Sequence, residues 1–442
     1  MKLLRRITIA CVLSTSISLF VPCLPVFAQT AGNPVIYGSS GVTSSSAVVD
    51  ASVLSGGDLC AQVNYAVAHA SAGTVIDARG INATNPKSSL VCASGTPWGG
   101  GSNTNTANPA TILLPAGTIQ IFAPWVLPSG TRLQGEGSGL TVIQAQTAAA
   151  NPMIQMGAAS PVCPNNVCTG IGVEDLTLDG NAVAGVSGIV NGYSQEMTYV
   201  KHVNLFQILG MGLQVLAQGS GSAQNSGPYS DIRFDTAGQA PSPATVCAQI
   251  LGTLPTRGIH GLTCVSNGTP NAAVLLDASN NSLEDVHIQG FQDGILIGKN
   301  GTAVSNVLAS IAGGSGVNNV VHIAAVQGKS VADEAIVGVT NGGGAAHTIQ
   351  DDLTGTTLSD AAVAIYAFGE PVTAGTHVAG YSRFTTSPNA ANWSFGSNSL
   401  PPNTPCSNIG SLYSNTAGTA GGNNTWYVCT GNGSSATWAD IE

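Results

Sequence analysis

Apolar residues in this chain occur in short runs between corners rich in glycine and proline, most clearly in residues 111–146. The corners there are Pro-Ala-Gly, Pro-Ser-Gly and Gly-Glu-Gly-Ser-Gly, and the runs cover 112–114, 119–122, 132–134 and 141–143. Such runs are too short for stable isolated hairpins, and no Asn-Gly pair turns one of them back onto the next. The pattern therefore predicts that each run pairs with a strand in the next coil of a β-solenoid.

A weak repeat begins at residue 175 and supports the same architecture. Each copy reads polar, apolar, any residue, apolar, and the copies start at Asp175, His202, Asp231, Gly261, Asp285 and Asn306. The intervals of 27, 29, 30, 24 and 21 residues fall within the range of about 20–45 residues that is typical of stacked repeats. Loops of unequal length between coils account for the variation in these intervals.

Three segments of residues 113–141 also resemble a known family. They are LLPAGT (113–118), LPSG (127–130) and LQGEGSGLT (133–141), and they are similar to the pectate-lyase superfamily, which includes the polygalacturonase-related group. The resemblance implies an all-β fold, a right-handed single-stranded parallel β-helix, and a polysaccharide as the partner.

The polygalacturonases of this superfamily carry Asn-Thr-Asp, Asp-Asp, Gly-His-Gly and Arg-Ile-Lys motifs on successive coils. Here residues 258–261 (Gly-Ile-His-Gly) only approximate the third motif, Asp351 and Asp352 lie far downstream of it, and Arg-Ile-Lys is absent. Hydrolysis by the polygalacturonase mechanism is therefore not expected.

The domain organisation follows from these patterns and their flanks. Asp58 precedes an apolar spacing typical of one short helix, which would cap the otherwise bare edge of the first coil. We predict a signal peptide over 1–28, a leading segment and cap over 29–73, the parallel β-helix over 74–386, a linker over 387–405 and a small C-terminal β module over 406–442.

Residues 1–28 have the pattern of a cleavable secretory signal, because Lys2, Arg5 and Arg6 precede an apolar run and Val-Phe-Ala precedes Gln29. The protein is therefore expected to be secreted, and no later apolar stretch is long enough to predict a membrane span. Removal of the signal leaves 9 Lys and Arg against 22 Asp and Glu, a net charge of −13. This acidity argues against a nucleic-acid partner; the oligomeric state is not predicted.

Eight of the ten cysteines follow the signal, and in an oxidising compartment they are expected to form structural disulfides. Eight cysteines allow 105 pairings. Their order favours local bridges, which are Cys60–Cys92, Cys163–Cys168, Cys247–Cys264 and Cys406–Cys429.

Alternation of side chains along a strand groups polar residues on one face. Among them are the candidate catalytic residues Asp179, Asp231, Arg233, Asp235 and His287 and the candidate substrate-binding residue Asp285. With the apolar residues of each repeat inward, one outer face collects Asp175, Asp179, Asp231, Arg233, Asp235, Asp285 and His287. Asp179 and Asp235 would lie two coils apart, about 10 Å between backbones, near the separation of about 6.5–9.5 Å between the acid and base of inverting glycosidases. The alternative is that these carboxylates are solvated turn residues.

Arg233 and His287 form a second candidate pair, also two coils apart, with Asp231 and Asp285 beside them. A polysaccharide lyase must neutralise a uronate carboxylate and remove the proton from the carbon next to it. Its active site therefore needs at least a cation beside a base. The aspartates could instead hold Ca²⁺ for the neutralisation. The competing interpretation is a surface ion pair. His202, His322 and His347 lack partners at ligand spacing, so a structural role is expected for them.

Aromatic residues in the C-terminal module admit two interpretations. Trp426 and Trp438 either form its small core or lie exposed and stack on sugar rings as substrate-binding residues. For the whole chain, the leading hypothesis is a secreted pectate-lyase-like β-helix protein that binds an extracellular polysaccharide and cleaves it as a lyase or glycoside hydrolase. The alternative is a non-catalytic structural or adhesin-like solenoid, and whether the chain is an enzyme stays open.

Overall fold

The computed structural model describes residues 48–54, 56–81, 90–93, 110–216, 225–252, 257–278, 282–297, 308–313 and 316–323, together with strand segments nearer the C-terminus. These segments are 335–336, 339–341, 347–351, 363–364, 367–368, 381–382, 393–396, 412–415, 426–430 and 438–440. Across them, nearly every strand pairs in parallel with the equivalent strand one coil away. The Cys406 part of the fourth predicted disulfide and the signal peptide lie outside the described residues.

The largest sheet of the described chain forms two adjoining walls of the solenoid. Its strands are Val48–Asp50, Thr74–Asp77, Leu90–Cys92, Ala110–Leu113, Gly117–Ile121, Arg132–Gln134, Thr141–Ala145, Gly172–Asp179, Tyr199–Phe206, Tyr229–Asp235, Ile259–Val265, Ser282–Gln289, Leu308–Gly313, Val339–Asn341 and Ala367–Phe368. The strand Gly172–Asp179 joins the walls, because its first half pairs with Arg132–Gln134 and its second half with Thr141–Ala145. We call the wall of the first halves the first wall and the other the second wall.

A second parallel sheet forms the third wall. Its strands are Trp125–Leu127, Ile154–Met156, Ile189–Asn191, Met211–Val215, Val246–Gly252, Ala272–Ala278, Asp293–Ile297, Asn319–Ile323 and His347–Asp351. A parallel pair, Ala335–Ile336 with Val363–Ala364, lies apart from both sheets. Three walls per coil, each stacked in parallel on the next coil, confirm the predicted all-β parallel solenoid.

One residue in the left-handed backbone region separates the first wall from the second in each long strand. These residues share the first position of the sequence repeat, and their φ angles are 57° at Asp175, 52° at His202, 53° at Asp231, 66° at Gly261 and 52° at Asp285. We call this row the corner column. The predicted single outer face is therefore wrong in one respect: Asp175, Asp231 and Asp285 lie on a corner, because a left-handed residue turns the strand there.

The core consists of inward side chains stacked on their equivalents in neighbouring coils. In the second wall, Leu178, Leu205, Phe234, Cys264 and Ile288 follow one another in register and are fully buried. The coil after Ile288 departs from the sequence repeat, since Val286 pairs with Ile311 across a register shift. The sequence repeat predicted Val307 as the partner of Val286, and the register shift explains why that prediction is wrong.

The N-terminal cap is the helix Leu59–His69, as the sequence predicts. The Asp58 carboxylate accepts a hydrogen bond from the Ala61 amide at 2.8 Å, which satisfies one of the free donors at the helix start. Leu59, Val63 and Val67 are buried in the same core as the solenoid. The sheet begins before the predicted boundary at 74, because Val48–Asp50 pairs in parallel with Thr74–Asp77.

Three of the predicted disulfides are present in the structure: Cys60–Cys92, Cys163–Cys168 and Cys247–Cys264. The first ties the cap helix to the strand Leu90–Cys92, and the third joins the third wall to the second. Cys429 is also disulfide-bonded, and its pairing with Cys406 stays a prediction. Disulfides are consistent with an oxidising compartment.

The C-terminal sheet of the described residues contains Tyr381–Ser382, Trp393–Gly396, Leu412–Asn415, Trp426–Cys429 and Trp438–Asp440. It mixes parallel and antiparallel pairs, unlike the solenoid walls. The strand Tyr381–Ser382 pairs with Trp393–Gly396, and that strand pairs with Leu412–Asn415. The sheet therefore begins before the segment predicted as a linker and continues through it. Trp426 and Trp438 lie on two adjacent strands, and their proposed contact with sugar stays a prediction.

Backbone strain at the corner column predicts a selective response to substitution at Asp285. A β-branched side chain is disfavoured at positive φ, by about 1–2 kcal/mol for the left-handed conformation. We expect Asp285→Val to lower the free energy of unfolding by about that amount and Asp285→Gly to leave it unchanged or raise it, as measured by urea denaturation. Asp285→Asn is the control, and a loss equal to that of the valine variant would show that the carboxylate matters and not the backbone.

Tyr229 predicts a pH-dependent contribution to stability. Its hydroxyl is fully buried, donates to Ser226 Oγ at 2.7 Å and accepts from Asn191 Nδ2 at 2.9 Å. Burial raises the pKa of Tyr229 to about 12. Since the folded pKa lies above the unfolded value of about 10, this stabilisation is complete below pH 10 and is lost as the pH rises through 12.

We expect Tyr229→Phe to lower the free energy of unfolding at neutral pH by about 1–3 kcal/mol, because Asn191 loses its acceptor. The decline in stability between pH 10 and 12 should become shallower than in the wild type. Unfolding curves at several pH values measure both effects. Tyr65→Phe, at an exposed position of the cap helix, is the control for loss of a hydroxyl, and an unchanged alkaline slope in Tyr229→Phe would contradict the prediction.

Candidate active site at the solenoid corner

A cavity of about 680 Å³ lies where the first wall meets the second. The loop residues Gly137, Ser138 and Gly139 line one end of it. Polar side chains from three successive coils line the rest, and they are Asp175, His202, Asn204, Asp231, Arg233 and Asp235. Three of these, Asp231, Arg233 and Asp235, are candidate catalytic residues of the sequence analysis.

His202 lies between two aspartates of the corner column. Its Nδ1 is 3.1 Å from Asp175 Oδ1, and its Nε2 is 3.2 Å from Asp231 Oδ2. The arrangement arises because strands of adjacent coils are about 4.8 Å apart, so one imidazole reaches the carboxylates of the coils on both sides. The sequence predicted that His202 lacks partners at ligand spacing, and the structure supplies two carboxylate partners from the adjacent coils.

The two ring nitrogens of His202 each face a carboxylate, and the contact with Asp175 has hydrogen-bond geometry. Neutral imidazole has one N–H donor and one acceptor nitrogen, whereas a carboxylate can only accept. Both contacts can be hydrogen bonds at the same time only if Asp175, His202 and Asp231 together carry two protons on their contacting nitrogen and oxygen atoms. Because the side chains of His202 and Asp231 are about half exposed, at 48% and 57%, the row can exchange a proton with a ligand in the cavity. This is the chemistry of a general acid and base.

Two glycines shape the space around this row. The Gly-Glu-Gly-Ser-Gly loop closes over the corner, where the Gly137 amide donates to the Asp175 carbonyl at 3.0 Å and a Cβ at Gly135 would overlap that oxygen. On the other side, a Cβ at Gly261 would lie 3.1 Å from Asp231 Oδ1. Glycine at both places leaves room for the loop and for the Asp231 carboxylate.

Arg233 supplies the cation of the cavity. Its Nη2 is 2.9 Å from Asp235 Oδ2, and Asp235 also accepts from the Ala237 amide at 2.7 Å. The Arg233 side chain is 61% exposed. A solvent-exposed ion pair contributes only about 0–1 kcal/mol, so the guanidinium can bind an anionic ligand at little cost while Asp235 keeps it on the second wall.

Asn204 adds an acceptor without a partner. Its Oδ1 is buried and makes no hydrogen bond within the described part of the chain. Asn204 lies between Thr177 and Arg233 in the register of the second wall, and it lines the cavity. A buried acceptor without a donor costs about 1–3 kcal/mol, so Asn204 is a local cost to the second wall beside the cavity.

The predicted pair Asp179 and Asp235 is two coils apart with Phe206 between them, as expected. Asp179, however, is only 9% exposed and does not line the cavity. Its carboxylate accepts from Gln144 Nε2 at 2.8 Å and from the Asn181 amide at 2.7 Å. The side chain of Phe206 lines the cavity in its place.

The second predicted pair, Arg233 and His287, is also in the expected register, with Thr263 between them. His287 and its neighbour Asp285 are exposed, and neither lines the cavity. The corner residues that share the cavity with Arg233 are therefore Asp175, His202 and Asp231. The repeat contained the signal for this row, since Asp175, His202 and Asp231 begin successive copies.

Among the described residues, no group of three or more His, Cys, Asp or Glu side chains converges as a metal site. Ca²⁺ prefers six to eight oxygen ligands, and the corner aspartates are held apart by His202, so they do not fit that ion. The described helices include none that is long and apolar enough to cross a membrane.

No family model and no curated protein matches the chain. Among solved structures, it is similar to the A-modules of two mannuronan C-5 epimerases of Azotobacter vinelandii, AlgE4 and AlgE6. The identities are 14% and 15%, and each alignment covers 60% of this chain and 90% or 91% of the other. Both TM-scores are 0.23, so the fold and the site described above rest on strand register and side-chain geometry alone.

Proposed function

We propose that the protein binds an acidic polysaccharide across the solenoid corner and cleaves it by β-elimination, as a polysaccharide lyase. The observation that carries the proposal is the Asp175–His202–Asp231 row beside Arg233 in one open cavity. A cation next to an acid–base group is what removal of a proton adjacent to a uronate carboxylate requires.

In the proposed reaction, Arg233 binds the uronate carboxylate and stabilises the negative charge that develops when the adjacent carbon loses its proton. Asp231 accepts that proton. The electron pair forms a carbon–carbon double bond, and the bond between the ring and the glycosidic oxygen of the neighbouring sugar breaks. His202 then donates a proton to the leaving oxygen, and Asp175 holds the imidazole in position.

Hydrolysis by Asp179 and Asp235 has less support. An inverting hydrolase needs both carboxyl groups open to the sugar and to a water molecule between them. Asp179 is covered and bound to Gln144 and Asn181, and Phe206 lies between the two aspartates. Secretion, membership of the pectate-lyase superfamily and sugar binding by Trp426 and Trp438 are parts of the same proposal, and the oxidising environment that three disulfides indicate is consistent with it.

The proposal predicts unsaturated products from an acidic polymer. Pectin, alginate, rhamnogalacturonan, xylan and β-glucan should be assayed for ultraviolet absorbance of new double bonds and for reducing ends, with and without Ca²⁺. We expect unsaturated ends from at least one uronate polymer. His202→Gln and Asp231→Asn should each reduce that rate by about 10²–10⁴-fold, the usual contribution of a general acid or base, and Arg233→Gln should also raise KM.

The matched control is His260→Gln. His260 also bonds a carboxylate, with Nδ1 3.0 Å from Glu284 Oε2, but it lies on the first wall outside the cavity. The His260→Gln variant should form unsaturated product at the wild-type rate. Reducing ends without double bonds would indicate a hydrolase, and no product from any polymer would favour a non-catalytic solenoid.

A further inference from the structure

A second cavity, of about 310 Å³, lies on the first wall beside the corner. Three of its lining residues are basic: Arg132, Lys201 and Arg257. All three are exposed, and they come from different coils. Arg132 pairs with Gly172 of the following coil, and Lys201 pairs with Glu174 of the preceding coil. Arg257 lies just before the strand Ile259–Val265. Parallel stacking therefore gathers cations that are far apart in the sequence.

This concentration of positive charge is notable in an acidic chain. The protein has 12 Lys and Arg against 22 Asp and Glu, and three of the 12 line one small cavity. Burial raises the pKa of Tyr199, and so do Glu174 and Asp175 on a neighbouring coil; the Tyr199 hydroxyl donates to Glu174 at 3.0 Å. Neither carboxylate lines the cavity, whose described lining includes three cations and no acidic residue, so the cavity favours an anion.

The cavity also has an apolar part. Met197 is 66% exposed, and the side chains of Met197, Pro228 and Tyr199 line the space next to the cations. A sugar ring presents C–H groups on its faces and polar groups on its rim. A charged pyranose residue would therefore find contacts for both parts in this cavity, whereas a small inorganic anion would use only the cations.

The basic cavity and the candidate active site share two coils. Lys201 is followed by His202 on one of them, and Ser230, which lines the basic cavity, is followed by Asp231 on the next. Adjacent residues of a strand are about 3.3 Å apart, so the two cavities adjoin across the corner column. An extended ligand bound at His202 and Asp231 reaches Lys201 by continuing onto the first wall.

We propose that the cavity lined by Arg132, Lys201 and Arg257 is an anion subsite, which binds the carboxylate or sulfate group of a sugar next to the one at His202. The identity of the ligand rests on the proposed function, but binding can be measured apart from chemistry. The subsite makes the substrate a chain with anionic groups on neighbouring sugars, since Arg233 and the basic cavity each take one.

The test measures binding by calorimetry in the His202→Gln background, in which the proposed turnover is slowed. The probes are an oligouronate, a sulfated oligosaccharide and the oligouronate after reduction of its carboxyl groups. Lys201→Met and Arg257→Gln should each weaken binding of an anionic probe about tenfold, as expected for loss of one charged hydrogen bond, and should not alter binding of the reduced probe. Raising the salt concentration should diminish the difference.

Arg79→Gln is the matched control, because it removes one positive charge from an exposed arginine that pairs with Asp77 outside both cavities. It should bind every probe as the His202→Gln parent does. Preference for the uronate or the sulfated probe identifies the anion. Any of three results would overturn the subsite. They are equal binding by the Lys201, Arg257 and Arg79 variants, equal losses of affinity for charged and reduced probes, and no binding of any probe.

The two proposals fail in different ways. Pocket-dependent binding without any product from the enzyme with His202 intact would refute the lyase and keep the subsite. Product formation that requires His202, with binding insensitive to Lys201 and Arg257, would do the reverse. Thermal unfolding of each variant shows whether a loss of binding reflects a loss of fold, and Lys201→Arg, which keeps the charge, should retain most of the affinity.

Discussion

Parallel pairing between successive coils is the constraint on which the outer surface depends. Each strand takes its hydrogen-bond partners from the coils before and after it, so residues at one position of the repeat form a column about 4.8 Å apart. The buried stacks, such as Leu178, Leu205 and Phe234, hold the register, because a slip of one residue would place apolar side chains in water. The spacing of the polar columns follows from the core.

The corner column links backbone conformation to chemistry. A positive φ is least costly for glycine and is tolerated by Asp, Asn and His, and the described corners are occupied by Asp175, His202, Asp231, Gly261 and Asp285. The residue types that permit the turn are therefore also types that carry protons. Alternation of His with Asp along the column then places an imidazole between two carboxylates, and the glycine in the next coil leaves the last carboxylate open.

Charge is distributed unevenly around this corner. The second wall offers Arg233 with its partner Asp235, while the first wall gathers Arg132, Lys201 and Arg257 around one cavity. Between them runs the row of acid–base residues. A chain with net negative charge thus has a local basic surface beside the corner column, where the proposed acidic polymer would bind.

The sequence by itself determined the coil pattern, the cap helix, the local disulfides and the register that aligns Asp179 with Asp235 and Arg233 with His287, because apolar periodicity and turn residues act locally. Tertiary structure alone decided which polar residues meet. The left-handed turn at Asp175 cannot be read from an alternating pattern, so strand alternation wrongly placed the corner and the second wall on one face. Asp179 is covered by side chains that include Gln144 of another coil, and His202 bridges Asp175 and Asp231 of the coils on either side. Such contacts between coils arise only when the stack has formed.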